Sequence, residues 1–212
     1  PDEVGREIVT LLARRAREGL EVRLLVDAVG SWGTPLVLCR PLLRAGGRVA
    51  RFNPALPLQG KGSANWRNHR KLAVFDGRVA IIGGQNLGLG YMGRRPSNRR
   101  FRDCSFRLEG PVAGALERIF IADWCQATDE PPRRYADQLR ERQVAAGEAS
   151  VEVIATGPDA EGDPLWEAYA HLFETAATSI TIVTPYFVPD RRLFALLGAA
   201  ARRGRRVRRG TT

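Results

Sequence analysis

Lysine is almost missing from this sequence. Its 33 basic residues include only two lysines, Lys61 and Lys71, so arginine supplies nearly all of the positive charge. Long apolar runs are missing too, and none approaches the roughly 20 residues that a membrane-spanning helix needs. The sequence opens with Pro1, and its single methionine, Met92, is internal. We therefore interpret it as a piece of a longer protein.

Cysteine is also scarce. The three cysteines, Cys39, Cys104 and Cys125, lie far apart, and no Cys-x-x-Cys or Cys/His spacing of a zinc site occurs. Nor do carboxylates cluster as they do around a divalent cation. We therefore expect no metal and no other cofactor. We interpret the cysteines as buried thiols of a reducing compartment.

Positive charge is what the sequence has in excess, with a formal net charge of +10. Each arginine near an anionic membrane contributes about 1 kcal/mol, and arginine also favours nucleic acid. A biased coding sequence would produce the same abundance of Arg, Ala and Gly beside so little Lys. Charge alone therefore leaves open both a purposeful basic surface and ordinary solvated faces.

Apolar spacing predicts alternating helices and strands, the pattern of an α/β fold in which helices cover a sheet. Asp76-Gly77 predicts a tight turn between two antiparallel strands. The predicted helices are 5–18, 34–44, 111–126, 163–178 and 189–204. The predicted strands are 22–31, 49–54, 69–77, 77–84, 102–110, 151–156 and 179–187, and the segment VRRGTT at 207–212 predicts only a poor strand.

An internal repeat divides the sequence. Pro1-Asp2 begins a helix that ends at Gly19 and continues GLEVR, and Pro189-Asp190 begins a helix that ends at Gly204 and continues GRRVR. The repeat predicts one nearly complete half at residues 1–127, a charged, proline-containing connector at 128–149, and the start of a second half at 150–212. A second copy of residues 68–86 would fall beyond Thr212.

The stretch NHRKLAVFDGRVAIIGGQN, residues 68–86, combines groups that suit a small anion. The two-residue period of a strand puts His69 and Lys71 on one face. Gly83 and Gly84 leave the backbone open to a close-approaching group, and Asn86 adds an amide donor. A lysine ammonium is compact, so it can lie beside a nucleophile where the planar fork of arginine would crowd an in-line attack. The stretch therefore predicts a phosphate site.

These residues also carry a family resemblance. The pattern His69-x-Lys71-x4-Asp76-x6-Gly83-Gly84-x-Asn86 resembles the HKD signature of the phospholipase D superfamily. Flanking segments along nearly the whole chain are similar to bacterial cardiolipin synthases: FNP at 52–54, RNHRK at 67–71, Arg102-Asp103, RLEGP at 107–111, F-x-x-D-W at 120–124 and TPYFVPD at 184–190. The resemblance implies a phospholipase D-like sheet flanked by helices.

The resemblance further implies phosphoryl transfer in two steps through a covalent phosphohistidine. Histidines from two such motifs meet at one shared site, where one attacks phosphorus and the other protonates the leaving alcohol and then activates the acceptor. His69 is then the nucleophile, Lys71 and Asn86 hold the nonbridging oxygens, and Asp103 orients the ring of His69. Asp76 completes the catalytic motif, chiefly by supporting the hairpin, and the two glycines contact the phosphate.

The sequence departs from the family pattern in two places. Relatives often carry an acidic pair after the asparagine, where this chain has Leu89 and Gly90. The second motif is missing, and the only other histidine, His171, lies on a predicted helix without a following x-Lys. We interpret His171 as a structural residue.

Three functions remain open. The first is a phosphatidyltransferase that joins phosphatidylglycerol-type lipids, peripheral on the cytoplasmic side of a bacterial membrane. Its partners are phospholipid, an anionic membrane surface and a second HKD half, in a full-length chain or in a dimer. The second is a dimeric phosphodiesterase acting on nucleic acid, the less favoured partner because a compact dimeric nuclease would not begin a second repeat. The third is a non-catalytic truncated remnant. We predict little or no activity for the monomeric chain, since it lacks the second histidine.

Overall fold

The computed structural model describes residues 2–28, 30–31, 36–52, 68–140, 144–157 and 160–210. The chain forms two compact units, Pro1–Val153 and Ile154–Thr212. The helices are α1 (Glu3–Arg17), α2 (Arg40–Arg44), α3 (Pro111–Thr128), α4 (Ala136–Arg140), α5 (Pro164–Thr175) and α6 (Arg191–Arg202). The strands are β1 (Arg23–Asp27), β2 (Arg48–Phe52), β3 (Lys71–Phe75), β4 (Val79–Gly83), β5 (Ser105–Glu109), β6 (Ser179–Val183) and β7 (Arg206–Gly210). The predicted α/β class is confirmed.

The first unit opens with a helix whose ends follow from its sequence. The Asp2 side chain caps α1 by accepting a hydrogen bond from the amide of Gly5 (2.9 Å). Gly19, with φ of 92°, turns the chain after the helix. One face of α1 packs against Leu42 of α2, and β1 then pairs in parallel with β2.

An antiparallel sheet of β3, β4 and β5, in that order, follows. Asp76 and Gly77 join β3 to β4 with φ values of 52° and 61°. Two successive positive φ values are typical of the type I′ turn, which matches the twist of the flanking strands. The predicted hairpin and its turn are therefore confirmed.

Helix α3 packs against both sheets of this unit. Its buried Trp124 lies with Ala50 of β2 in one core cluster. In another cluster, its Ala113 and Leu116 cover Ala80 of β4. Burying one large apolar side chain contributes about 2 kcal/mol, so α3 holds the hairpin against the parallel pair.

The second unit repeats the local plan of α1 and β1. Asp190 caps α6 by accepting from the amide of Leu193 (2.7 Å), and Gly204, with φ of 78°, follows the helix. Strand β7 then pairs in parallel with β6. A separate cluster forms the core, made of Phe173, Ile180, Leu197 and Ala200. The boundaries of the two halves at residues 127 and 149 stay a prediction.

Three secondary-structure predictions were wrong in whole or in part. The helix predicted from residue 34 is a 3-10 turn at Leu36–Cys39 followed by α2, because Pro41 fits the first turn of an α-helix; residues 34–35 lie outside the described residues. Residues 151–156 join no described sheet, and Val153 packs instead against the cluster around Ala80. The segment 207–212, predicted to be a poor strand, contributes residues 207–210 to β7, because backbone hydrogen bonds to β6 do not depend on the side chains. Residues 211–212 lie outside the described residues.

Candidate active site

The ends of three strands bring most of the predicted site residues together. Strand β3 begins at Lys71, β4 ends at Gly83 and β5 begins at Ser105, and these residues face one another across the sheet. The residues just before β3, just after β4 and just before β5 therefore meet at this end. They include His69, Lys71, Gly83, Gly84, Asn86 and Asp103.

Asp76 is the predicted site residue that lies elsewhere. It occupies the turn at the opposite end of the hairpin, after Phe75 and before β4. Its position supports the hairpin and does not bring its carboxylate to the other site residues. Of the flanking segments, Asn53, Pro54 and Arg67 lie outside the described residues, as does Lys61.

Lys71 lies on the outer face of the sheet. Leu72 and Val74 pack toward α3, so strand alternation places Lys71 on the opposite face. Its ammonium donates to the carbonyl oxygen of His69 (2.8 Å). Burial lowers the pKa of Lys71, and the nearby carboxylates of Asp103 and Asp27 oppose this shift. Because this cation is already partly desolvated, less hydration free energy is lost when an anion binds to it.

His69 itself is exposed. Within the part of the chain that the structure describes, its imidazole makes no hydrogen bond. The carboxylate of Asp103 accepts from the amide of Cys104 (2.7 Å). The pairing of Asp103 with His69 therefore stays a prediction, while the imidazole is open to a substrate.

Gly83 and Gly84 are required by close neighbours. A Cβ atom on Gly83 would lie 2.5 Å from the carbonyl oxygen of Cys104 and 2.7 Å from the Cα atom of Ser105. On Gly84 it would lie 2.6 Å from both carboxylate oxygens of Asp103. The glycines thus allow β5 and Asp103 to approach the hairpin, a packing reason that the sequence did not reveal. Their contact with phosphate stays a prediction.

Comparison with known proteins shows that the chain is similar in sequence to bacterial cardiolipin synthases. No family model matches it. It is 36% identical over 208 residues to the cardiolipin synthase of Listeria innocua, covering 98% of this chain and 43% of that protein. It is 34% identical over 203 residues to the major cardiolipin synthase of Bacillus subtilis, covering 96% of this chain and 42% of that protein. It is 36% identical over 211 residues to the cardiolipin synthase of Halalkalibacterium halodurans, covering 98% of this chain and 41% of that protein. Over nearly its whole length the chain is thus similar to bacterial cardiolipin synthases.

The chain thus spans about two fifths of the length of these curated relatives. A crystal structure of phosphatidylserine synthase from Haemophilus influenzae Rd KW20 shares the fold, with a TM-score of 0.54 at 16% identity. The match covers 98% of this chain and 60% of that one. The predicted resemblance to bacterial cardiolipin synthases of the phospholipase D superfamily is confirmed by the relatives above.

Two carboxylates outside the HKD motif, those of Asp27 and Asp123, hold the segment that carries His69. The side-chain amide of Asn68 donates to Asp123 on α3 (2.7 Å), and the guanidinium of Arg70 donates to both oxygens of the same carboxylate (2.7 and 2.8 Å). The backbone amide of Asn68 donates to Asp27 at the end of β1 (3.1 Å). Both neighbours of His69 are therefore fixed while its ring stays free.

Sequence reasoning assigned no role to these two residues. Two signals pointed toward them. Asp123 is the acidic residue of the F-x-x-D-W segment of the superfamily resemblance, beside a buried tryptophan. Asp27 ends a buried strand, where polar residues of α/β folds often lie near a site.

The segment that follows Asn86 in this HKD motif is tied to the first helix. The second carboxylate oxygen of Asp2 accepts from the amide of Leu89 (2.8 Å), and Arg94 forms an ion pair with Glu7 (2.9 Å). The amides of Gly5 and Leu89 hold the pKa of Asp2 below its usual value. Asp2 thus connects the cap of α1 to the site.

The cysteine prediction is partly wrong. Cys39 and Cys125 are buried, and burial raises the pKa of both thiols. Cys104 is exposed, because it lies before β5 at the open end of the sheet.

In the described ranges, no group of three or more His, Cys, Asp or Glu residues could hold a metal ion. Within the same ranges, no helix is long and apolar enough to cross a membrane.

Proposed function

We propose that this chain is one catalytic half of a phosphatidyltransferase of the cardiolipin synthase type, in which His69 carries the phosphoryl group. The observation that supports this most is the convergence of His69, Lys71 and Asn86 at one end of the sheet. The chain that holds them is 34–36% identical to three cardiolipin synthases.

In the proposed reaction the imidazole of His69 attacks the phosphorus of a phosphatidylglycerol-type lipid. A P–N bond forms as the P–O bond to the headgroup alcohol breaks, and the alcohol leaves with a proton from a second histidine. That histidine then takes the proton of an acceptor alcohol on another lipid. The acceptor oxygen attacks phosphorus and releases His69.

The remaining site residues stabilise charge in this scheme. The ammonium of Lys71 and the amide of Asn86 bind the nonbridging oxygens, where negative charge is held through both steps. Asp27 and Asp123 keep the segment around His69 in place. The second histidine belongs to a second HKD half, in a longer chain or in a dimer.

The substrates of this reaction lie in a lipid bilayer. We therefore propose peripheral association with an anionic bacterial membrane, on its cytoplasmic side. A second half and a lipid surface are both needed for turnover, so the monomeric chain alone is proposed to have little or none.

The nucleophile can be tested without the second histidine. Bis(p-nitrophenyl) phosphate releases a phenolate that departs without a proton, so the chain should give a burst of one p-nitrophenolate per molecule. The phosphoryl group should then be found on a histidine by mass spectrometry. His69→Gln should abolish the burst, and His171→Gln should leave it unchanged.

Three results would contradict the proposal in different ways. A burst that survives in His69→Gln removes the assigned nucleophile. No burst in the folded chain favours the non-catalytic remnant. His69-dependent cleavage of DNA, without transfer between lipid headgroups when a second half is supplied, favours the nuclease.

A further inference from the structure

We propose that residues 87–102, named here the arginine loop, form a docking surface for an anionic phospholipid bilayer. This inference rests on the proposed function, since it names the part of the chain that would bring the site to its lipid substrate. The loop begins directly after Asn86 and ends directly before Asp103. Both of its ends are therefore at the candidate site.

The arginine loop is folded back on itself. The amide of Phe101 donates to the carbonyl oxygen of Gly90 (2.9 Å), and the rings of Tyr91 and Phe101 are in contact, with centroids 5.3 Å apart. The guanidinium of Arg100 donates to the carbonyl oxygen of Arg95 (2.5 Å). The loop thus presents a defined surface.

The charged residues of the arginine loop itself are all of one sign. Five arginines lie between residues 94 and 102, and no acidic residue occurs from Gly77 to Arg102. Arg95, Arg99 and Arg102 are exposed, and none of the three has an ion pair within the described part of the chain. Three unpaired cations beside the site complement the phosphates of an anionic surface.

Exposed apolar side chains accompany these arginines. Leu87 is 57% exposed and Phe101 is 69% exposed. Apolar groups next to arginine suit the boundary between headgroups and acyl chains, where the cations bind phosphate while the side chains enter hydrocarbon. An exposed leucine gives no advantage on nucleic acid, which offers phosphates and flat bases. The pattern therefore favours a bilayer.

The test uses the whole chain and does not depend on catalysis. Binding to vesicles of phosphatidylcholine, with and without phosphatidylglycerol, is measured by flotation at physiological salt. The variant Arg95→Gln/Arg99→Gln/Arg102→Gln should lose affinity for the anionic vesicles on the order of a hundredfold, since each arginine is worth about fivefold there. Leu87→Ser should lose about tenfold by removing an inserted side chain.

A matched control separates the loop from the total charge. The variant Arg40→Gln/Arg118→Gln/Arg133→Gln removes the same charge at exposed positions outside the loop and should bind vesicles nearly as well as the unchanged chain. Equal losses in the two triple variants would overturn the proposal. So would a loop variant that keeps its vesicle binding but loses DNA binding, which would assign the surface to nucleic acid.

The outcomes also distinguish this proposal from the proposed function. Unchanged vesicle binding in the loop variant, with the His69-dependent burst intact, would overturn the docking surface and leave the function standing. Loop-dependent vesicle binding in a chain without the burst would support the docking surface and overturn the proposed function.

Discussion

Helices α1 and α6 are capped alike but have different neighbours. In each, one carboxylate oxygen of an aspartate, Asp2 or Asp190, accepts from a backbone amide of the first turn. The second oxygen of Asp2 accepts from Leu89 in the arginine loop. The second oxygen of Asp190 accepts from Arg192 of its own helix. The same local device therefore supports a site in the first unit and only a helix end in the second.

Local sequence therefore specifies the helix and its cap, whereas long-range contacts form the candidate site. The first unit adds the hairpin, β5 and their contacts with α3. In the second unit, the capped helix packs into the core around Phe173. Four experiments sharpen or break this contrast.

The largest effect is expected for glycine substitutions. Gly83→Ala should destabilise the chain by about 3 kcal/mol, because its Cβ atom would meet the backbone of β5. Gly198→Ala in α6 should stabilise it by about 0.5 kcal/mol, since alanine favours a helix and the nearest neighbour, Nη1 of Arg202, is 3.4 Å away. Urea unfolding measures both, and equal effects of the two substitutions would break the contrast.

Next in size is the loss of a long-range carboxylate. Asp123→Ala should cost about 2 kcal/mol, because it removes hydrogen bonds from Asn68 and from the charged Arg70. Asp163→Ala removes only the local cap of α5 and should cost about 1 kcal/mol.

The position of His69 separates these two variants further. Asp123→Ala should shift the imidazole NMR signals of His69 and leave those of His171 in place, whereas Asp163→Ala should leave the His69 signals unchanged. Unmoved His69 signals in a folded Asp123→Ala chain would show that this carboxylate does not position the histidine.

A smaller effect is expected at the two capping aspartates. Asp2→Asn keeps one oxygen for the cap and loses the other, so amide exchange at Leu89 should speed up about fivefold, the equivalent of one hydrogen bond. Asp190→Asn should leave exchange at Leu89 unchanged. Amide exchange is measured by NMR. Equal protection of the Leu89 amide in the unchanged chain and in Asp2→Asn would show that Asp2 does not hold the arginine loop.

The same link has a pH dependence of known sign. Amide hydrogen bonds lower the pKa of Asp2 from its ordinary value of 3.8. The stability that this carboxylate contributes is therefore fully present above that value and is lost as the pH falls through the lower pKa of the folded chain. Protection of the Leu89 amide should fall in the same acidic range, below pH 3.8, and should not do so in Asp2→Asn.

The smallest effect is expected for cations on strands. Burial lowers the pKa of Lys71, so the folded chain disfavours its charge. Lys71→Met should raise the stability slightly while removing the proposed ligand of the phosphate, a trade of stability for activity. Arg208 on β7 is exposed, so Arg208→Met should change little. Destabilisation by Lys71→Met, measured by urea unfolding, would contradict this view of the site.

Much of the fold was predictable from sequence because its signals are local. Asp76-Gly77 specifies its turn through two positive φ values, and Gly19 ends α1 for the same conformational reason. The convergence of His69, Gly83 and Asn86 also followed from strand period and hairpin register.

The remainder depended on contacts between distant residues. Asp123 lies 55 residues from Asn68 in sequence, and no periodicity connects them. The close approach of Asp103 to Gly84 depends on the pairing of β5, so the glycine looked like a phosphate contact alone. Residues 151–156 have the composition of a strand, but Val153 instead packs against the core cluster around Ala80 of β4.

The pairing of Gly83 with Ser105 has an evolutionary consequence. The segment between them leaves and re-enters the sheet at adjacent points, so its length is nearly free to vary, since doubling a loop costs only about 0.6 kcal/mol. A lineage can therefore exchange the arginine loop, which lies within this segment, without moving Asn86, Asp103 or the strand that follows His69. The proposed docking surface and the proposed transfer chemistry can then diverge separately, so that one changes while the other is kept.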